Sequence, residues 1–373
     1  MNAFWAVARN EMTQLYRDVW FLLLMTVGSV GILTIMAYTL SADMENITVV
    51  VVDLDRTTYS RQFIQTLTSD ALFSLEFATS PTEAKRQLRD GQSKAVLIIP
   101  PDYSWRIQRG QAVRVQALID GSEPGVAGLL RDHLAAHANS VSQALAAETL
   151  AQRGLAYPPP LEFRPRIRYN PNLKTIISVL PGLMALVLSV SAVGASAAFA
   201  RERERGNFEL LISTPLGRWP LLLGRVFPYL LVGLFDIGLF VLLGLFVFKM
   251  PLRGSLTLFL AMGMLYVFAT TGAGVLIAQF VSSQHAAMII TFMLFGIAPT
   301  YLADIFFPLY TMPRWLQLEG AVMPATHFTV IARGIFLKGI GLETLWPNAL
   351  ALFATGGATS VLAFMRFQKR LRD

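Results

Sequence analysis

A run of alternating charges at 201–204, with the sequence Arg-Glu-Arg-Glu, follows directly after a long apolar stretch of the chain. The segment continues with Phe208, Leu211 and Ile212 as a small apolar patch, and Pro215 is expected to end the helix. A small apolar core within a charged rim suits protein recognition better than catalysis. Two interpretations stay open: a docking helix for a cytoplasmic protein, or a solvated, positively charged anchor beside a membrane span.

Asp236 is a carboxylate inside an otherwise uncharged apolar stretch. Such a residue at membrane depth is costly and usually faces a helix bundle or a cavity. It could bind a cation or carry a proton in a transport pathway. It could equally be a protonated or locally hydrogen-bonded residue at a helix contact, because Gly233 and Gly238 flank it. The second interpretation is the expected one.

Three histidines are further candidates for chemistry. His133 and His137 are four residues apart, and therefore share one face of a predicted helix. No H-E-x-x-H pattern accompanies them, so the sequence predicts a solvated or hydrogen-bonded pair and no metal site. His327 lies before the last apolar stretch, where a structural hydrogen bond is expected and a place lining an outer gate is the alternative.

The composition excludes most soluble and catalytic classes. Of the 373 residues, 54% are hydrophobic and only 15% are charged, too few charges to cover the surface of a soluble globule. The absence of cysteine rules out disulfides, thiolate metal sites and cysteine nucleophiles. No catalytic dyad or triad and no nucleic-acid module is evident. The sequence therefore predicts an integral membrane protein.

Apolar runs of roughly 20 residues each mark the membrane spans. They predict an α-helical polytopic protein of six transmembrane helices with an inserted extracytoplasmic α/β domain. A short amphipathic helix is predicted to lie in the membrane interface before the first span. The predicted order is interfacial helix 1–19, span 20–40, α/β domain 41–175, span 176–200, cytoplasmic helix 201–220, span 221–248, span 254–281, span 286–303, re-entrant helices 304–343, span 344–365 and tail 366–373.

Basic residues near the span ends predict the orientation. Arginines cluster at 201–205 and in the tail at 366–372, so both segments are expected in the cytoplasm. An even number of spans then places both termini inside and 41–175 outside. Lys249 and Arg253 lie in a loop that this orientation places outside, and they disagree mildly with it.

The segment 41–175 has nearly balanced charges, as a solvated surface does. The β-branched run 47–53 predicts a buried strand, and further strands are predicted at 74–78, 95–99 and 113–119. Helices are predicted at 57–68, 81–90 and 125–153. The alternation of strands and helices predicts an α/β domain with a mixed or parallel sheet.

Three stretches together identify a family. The run 201–215 reads R-E-R-E-R-G-N-F-E-L-L-I-S-T-P, with Asn207 where threonine is more usual. The stretch 323–328 reads M-P-A-T-H-F, and 168–171 reads R-Y-N-P. With one span before a large outer domain and five after it, the chain resembles the permease subunits of bacterial ABC-2 type exporters over essentially its whole length.

The resemblance implies a permease subunit in the bacterial inner membrane that works with a separate cytoplasmic ABC ATPase chain. That chain would bind ATP and Mg²⁺, and no G-x-x-x-x-G-K-[ST] loop occurs in this sequence. A second permease copy would complete a dimer, a periplasmic adaptor could bind the outer domain, and the substrate would be hydrophobic or amphipathic. Contacts implied for the ATPase are Arg203, Glu204, Phe208, Glu209 and Leu211, and a smaller group of Ser283, Gln284 and His285. The pathway candidates are Asp236 and His327.

Two other classes of function compete with export. A membrane enzyme would need clustered acids or histidines at membrane depth, and Asp236 alone is there. A non-transporting receptor or assembly anchor would need only its outer domain and few spans. Six spans with re-entrant helices are more than an anchor requires.

Overall fold

The computed structural model describes residues 2–40, 46–152, 168–171, 174–204 and 217–367. The chain divides into two compact units. Met1–Ser41 together with Arg166–Asp373 forms a mostly helical unit, here called the membrane unit, and Ala42–Pro165 forms the α/β unit.

The membrane unit begins with helix α1, Asn2–Arg17, and continues with helices that are long and apolar enough to cross a membrane. A helix suits this setting because it satisfies its backbone hydrogen bonds within one segment. In chain order, the six candidate spans are span 1 Val19–Thr39, span 2 Thr175–Glu204, span 3 Trp219–Val247, span 4 Leu256–Ala278, span 5 Gln284–Leu302 and span 6 Leu342–Arg366.

Several spans are built from more than one piece. Span 2 breaks at Ser189, whose hydroxyl donates to the carbonyl oxygen of Leu186 at 2.5 Å. Four π-helical turns, each containing a glycine, occur in the described helices; such turns often mark functional or mobile points in a helix. The pieces are Val19–Leu23, Leu24–Gly28 (π) and Ser29–Leu40; Thr175–Leu188 and Val190–Glu204; Arg218–Leu242 and Leu243–Val247 (π); and Gln284–Phe292, Met293–Ile297 (π) and Ala298–Leu302.

The segment between spans 5 and 6 contains a sharply bent helix pair. After the 3₁₀ turn Leu309–Thr311, the helices Arg314–Val322 and Pro324–Lys338 meet at an angle of 80°. The second helix consists of Pro324–Arg333 and the π-helical turn Gly334–Lys338. This geometry fits the short helices that the sequence predicts to turn back toward the bilayer, or a single broken span.

Large buried side chains from three segments form the centre of the membrane unit. Tyr266 of span 4 stacks on Phe328 of the bent pair with ring centroids 4.7 Å apart. The Tyr266 hydroxyl donates to the carbonyl oxygen of Ala185 in span 2 at 2.8 Å. Phe259 packs edge-on against Phe336 at 4.8 Å. Spans 2 and 4 and the bent pair therefore share one core.

The α/β unit is built on a four-stranded sheet in the order β2-β1-β3-β4. Strand β1 pairs in parallel with β2 and β3, and β4 pairs with β3 antiparallel, so the sheet is mixed as the sequence allowed. The elements are β1 Ile47–Asp53, α2 Thr58–Thr68, β2 Phe73–Phe77, α3 Pro81–Arg89, β3 Ala95–Ile99, α4 Tyr103–Gln108, β4 Gln116–Ile119 and α5 Pro124–Gln152.

Alternate residues of β1 enter two separate cores. Val49 and Val51 pack with α2, α4 and α5, while Val50 and Val52 pack with α3. Burial of both faces explains why β1 reads as a continuous β-branched run with no polar alternation. Strand β1 coincides with the predicted strand. Strand β4 is shorter than predicted, because only the part of 113–119 from Gln116 onward pairs with β3.

Candidate coupling site and buried polar groups

The charged run 201–204 forms the last turn of span 2, where every charge has a partner on another segment. Arg201 Nη1 lies 3.6 Å from Asp18 Oδ2, and Glu202 forms an ion pair with Arg225 of span 3. Asp18 also accepts a hydrogen bond from the Phe21 backbone N–H at 3.3 Å, which caps the first helix of span 1. The run therefore ties the end of span 2 to the starts of spans 1 and 3.

The last two charges of the run bind the turn that joins spans 4 and 5. The guanidinium of Arg203 donates to the carbonyl oxygens of Gln279 at 2.8 Å and Ala278 at 3.3 Å. The carboxylate of Glu204 accepts the backbone N–H of Gln284 at 2.8 Å, at the N-terminus of span 5. A carboxylate is favourable there because the first N–H groups of a helix lack partners.

Helix α1 contributes a buried carboxylate to the same region. Glu11 is 6% exposed, and its carboxylate accepts a hydrogen bond from the Tyr229 hydroxyl of span 3 at 3.2 Å. Burial raises the pKa of Glu11, although the nearby Arg225 and the Tyr229 hydrogen bond oppose the change. Ala8, Glu11 and Leu15 form the buried face of α1, whereas Trp5 is more than half exposed. Part of the predicted apolar face of α1 is therefore buried against the rest of the membrane unit, and part of it is exposed.

Two aromatic contacts bring span 6 to the same end. Trp219 at the start of span 3 stacks on Phe364 with ring centroids 4.0 Å apart. Arg366 lies 3.9 Å from the ring centre of Phe280, next to the turn between spans 4 and 5. Helix α1, the end of span 2, the start of span 3, the turn between spans 4 and 5 and the end of span 6 therefore gather at one end of the membrane unit. This set is here called the charged end.

Two residues of the first group that the resemblance implied for ATPase contact reach the second group at the charged end. Arg203 and Glu204 from the first group bind the turn that carries Ser283, Gln284 and His285. Of that second group, His285 is exposed and Ser283 and Gln284 are partly buried. Phe208, Glu209 and Leu211 lie outside the described residues.

The buried Arg225 is a residue that reasoning from the sequence missed. Its side chain is 6% exposed, and within the described part of the chain its Nη1 atom has no hydrogen-bond partner. The Arg225 guanidinium also lies 5.7 Å from the ring centre of Phe199. Two features of the sequence could have predicted this buried charge. Arg225 is a basic residue among the apolar residues of span 3, and Glu11 is an acidic residue on the face of α1 that is buried.

Asp236 is buried in the interior of the membrane unit at 1% exposure. Neither of its carboxyl oxygens has a hydrogen-bond partner among the residues that the structure describes. Of its two flanking glycines, Gly233 lies at a close helix contact, where an added Cβ would be 2.5 Å from Cγ1 of Val267 in span 4. Gly238 has open space around it. The local hydrogen bond considered for Asp236 is absent from the described contacts.

Replacing Asp236 with asparagine should leave both folding and transport nearly unchanged. Asparagine keeps the shape of the side chain, and no described ion pair or hydrogen bond is lost. Transport by the reconstituted protein should stay within about twofold of the original, since no interaction worth about 1 kcal/mol is removed. The matched variant Asp304→Asn should be less stable, because Asp304 pairs with Arg333 at 2.8 Å. A large transport loss in a well-folded Asp236→Asn protein would establish Asp236 as a pathway residue.

The three histidines all have partners within the chain. His133 Nδ1 lies 2.9 Å and His137 Nε2 lies 3.0 Å from the same oxygen of Asp70. Burial favours a raised pKa for Asp70, but hydrogen bonds from the two histidines and the Leu72 backbone lower it to about 2. His327 Nε2 lies 2.8 Å from the carbonyl oxygen of Ala321, and its Nδ1 lies 3.0 Å from Asn348 of span 6.

Comparisons with known proteins agree with this architecture. The model of a family described as ABC-2 family transporter protein matches residues 17–365. A probable multidrug ABC transporter permease, YbhR of Escherichia coli (strain K12), is 26% identical over 370 residues, which cover 98% of each chain. The probable multidrug ABC transporter permease YbhS of the same organism is 25% identical over 368 residues, 98% of this chain and 97% of that one. The inner membrane transport permease YhhJ is 26% identical over 332 residues, 87% and 85% of the two chains.

Proposed function

The chain belongs to the ABC-2 family of transporter proteins, and from this membership we propose that it is the membrane subunit of an ATP-driven exporter. Its partner would be an ABC ATPase on a separate chain, which would bind the ATP and Mg²⁺. Two permease copies would form the pathway. Because relatives of nearly the same length are named as probable multidrug permeases, we assign a hydrophobic or amphipathic substrate and outward transport.

The observation that best supports this function is the set of contacts at the charged end. Arg203 and Glu204 at the end of span 2 bind the turn before span 5. The ATPase contacts predicted at these two places are therefore connected, so that a force applied to one would also move the other. The neighbouring Glu202–Arg225 and Arg201–Asp18 pairs extend the connection to spans 3 and 1. A protein that receives mechanical work from a partner needs such a stiff junction, whereas a receptor or assembly anchor does not.

Span 2 is suited to carry that motion across the membrane. In its apolar stretch 78% of residues are buried inside the protein, against 22% in that of span 6. Pro181 and the break at Ser189 interrupt its helix between the charged end and the opposite end. A movement of Glu204 would therefore change the packing of Leu183 and its neighbours in the centre of the membrane unit.

Co-purification tests the proposed function directly. The tagged full-length chain should retain an ABC ATPase encoded beside it, and a hydrophobic drug should stimulate ATP hydrolysis by the reconstituted complex. A chain that binds no such ATPase, yet binds a ligand through its α/β unit, would favour the receptor alternative.

Cysteine labelling tests the proposed orientation, with the charged end in the cytoplasm and the α/β unit outside. The chain has no native cysteine, so single cysteines report without background. A cysteine replacing the exposed Ser122 should react with an impermeant reagent in cells whose outer membrane is permeabilised. The matched cysteine at the exposed Ser282 should react only after lysis. The reverse pattern would invert the orientation.

A further inference from the structure

The end of the membrane unit opposite the charged end carries basic side chains without acidic partners. None of them forms an ion pair with a residue in the described ranges, whereas Arg201 and Glu202 at the charged end do. All are exposed. They are Arg168, Lys174, Lys249, Arg253 and Lys338, here called the basic patch.

One segment of the basic patch is held by Tyr169 and Asn170. The guanidinium of Arg253 lies 5.8 Å from the ring centre of Tyr169, which joins the segment before span 2 to the loop between spans 3 and 4. The Asn170 side chain donates to the carbonyl oxygen of Lys174 at 2.8 Å and accepts the Lys174 backbone N–H at 3.1 Å. Arg168 and Lys174 therefore flank a fixed turn.

The other two segments of the patch are joined through their backbones. The backbone N–H of Arg253 donates to the carbonyl oxygen of Phe336 at 3.1 Å, and the N–H of Gly254 donates to the carbonyl oxygen of Ile335 at 2.9 Å. Gly339 has a φ of 70°, and a Cβ added there would lie 3.2 Å from Cβ of Arg253. This close approach sets Lys338, the residue before Gly339, beside Arg253.

Aromatic residues indicate that the patch lies at the level of lipid headgroups. Tyr38 at the end of span 1 and Phe248 at the end of span 3 have ring centroids 5.4 Å apart, and Lys249 follows directly. Tyrosine is enriched at membrane–water interfaces. The carboxylate of Asp304 is paired with Arg333, and the exposed Glu343 at the start of span 6 forms no ion pair with the patch within the described ranges.

We propose that the basic patch binds the phosphate group of anionic membrane lipids. Arginine and lysine on separate segments can donate several charge-assisted hydrogen bonds to phosphate oxygens, and basic residues beside a membrane attract anionic headgroups. The bound lipid would hold together the segment before span 2, the loop before span 4 and the end of the bent helix pair. The same chemistry would accept a free phosphate, which the experiment must distinguish.

Lipid binding to the purified full-length chain tests this proposal. Native mass spectrometry would follow titration with phosphatidylglycerol and, separately, with zwitterionic phosphatidylcholine of the same acyl chains. Arg253→Gln/Lys338→Gln should weaken phosphatidylglycerol binding roughly 25-fold, because each basic residue near an anionic surface contributes about a factor of five. Binding of phosphatidylcholine should change little.

Two further variants separate charge from folding. The control Lys85→Gln/Arg86→Gln removes the same charge from α3 of the α/β unit and should leave lipid binding unchanged. Arg253→Lys/Lys338→Arg keeps the charge and should retain binding, even if the glutamine variant folds poorly. Equal binding of both lipids, or unchanged phosphatidylglycerol binding by a folded glutamine variant, would refute the proposal that the basic patch binds anionic lipids. Displacement of the lipid by millimolar inorganic phosphate at constant ionic strength would refute the lipid as its ligand.

Discussion

Replacing Glu202 with glutamine should destabilise the membrane unit by about 3–5 kcal/mol, the cost of breaking a buried ion pair by removing one partner. Glu202 pairs with Arg225, whose side chain is 6% exposed and whose Nη1 atom already lacks a described hydrogen bond. The variant would leave the buried guanidinium without its ion-pair partner, and only the nearby Glu11 carboxylate would oppose its charge. The free energy of unfolding of the purified chain in mixed SDS micelles would measure the loss.

A double variant distinguishes the ion pair from general sensitivity of this region. Glu202→Leu/Arg225→Met removes both charges of the pair, and should be more stable than Glu202→Gln because no guanidinium stays buried, while Glu11 keeps its hydrogen bond from Tyr229. Glu319→Gln removes an exposed carboxylate from the helix Arg314–Val322 and should cost little. If Glu202→Gln is as stable as Glu319→Gln, the pair does not hold the charged end together.

The contacts of Glu202 add to what the charges of 201–204 indicate by themselves. In the sequence, Glu202 belongs to the charged rim around the small apolar core of the run 201–215. The structure instead gives Glu202 a buried partner on span 3. The charged run thus contributes to the internal assembly of the membrane unit.

Truncating Phe208 to alanine should weaken ATPase association roughly 30-fold, because buried aromatic anchors cost about 2 kcal/mol or more when truncated. Phe208 lies outside the described residues, and the expectation comes from its place in the apolar patch of the run 201–215. Insertion and folding should be unaffected. Binding of the purified ATPase to the reconstituted permease, and the stimulation of hydrolysis by a hydrophobic drug, are the measurements.

The matched control for Phe208 is Phe307→Ala. Phe307 is 54% exposed and lies between spans 5 and 6, away from the charged end, so its truncation should not affect ATPase binding. Normal ATPase binding and transport by Phe208→Ala would mean that the run 201–215 is only a positively charged anchor. The family membership of the chain would stand in that case, but this coupling assignment would fail.

The sequence alone determined the class of protein and the order of its elements. Long apolar runs admit few structures in lipid, since only a helix satisfies all its backbone groups within one segment. The β-branched run of β1 specified a buried strand for a similar reason, because both faces of that strand are covered. The motif stretches at 168–171, 201–215 and 323–328 were sufficient to identify the family.

Tertiary structure alone decided which charges meet. Glu11, Glu202 and Arg225 are far apart in the sequence, and neither periodicity nor composition records that three helices bring them into one buried region. The same holds for Arg253 and Lys338, whose segments are joined by the backbone hydrogen bonds from Arg253 to Phe336 and from Gly254 to Ile335. Patterns of hydrophobicity act locally along a helix, whereas the stability of a buried charge depends on partners contributed by other helices, and those partners are fixed only when the helices pack.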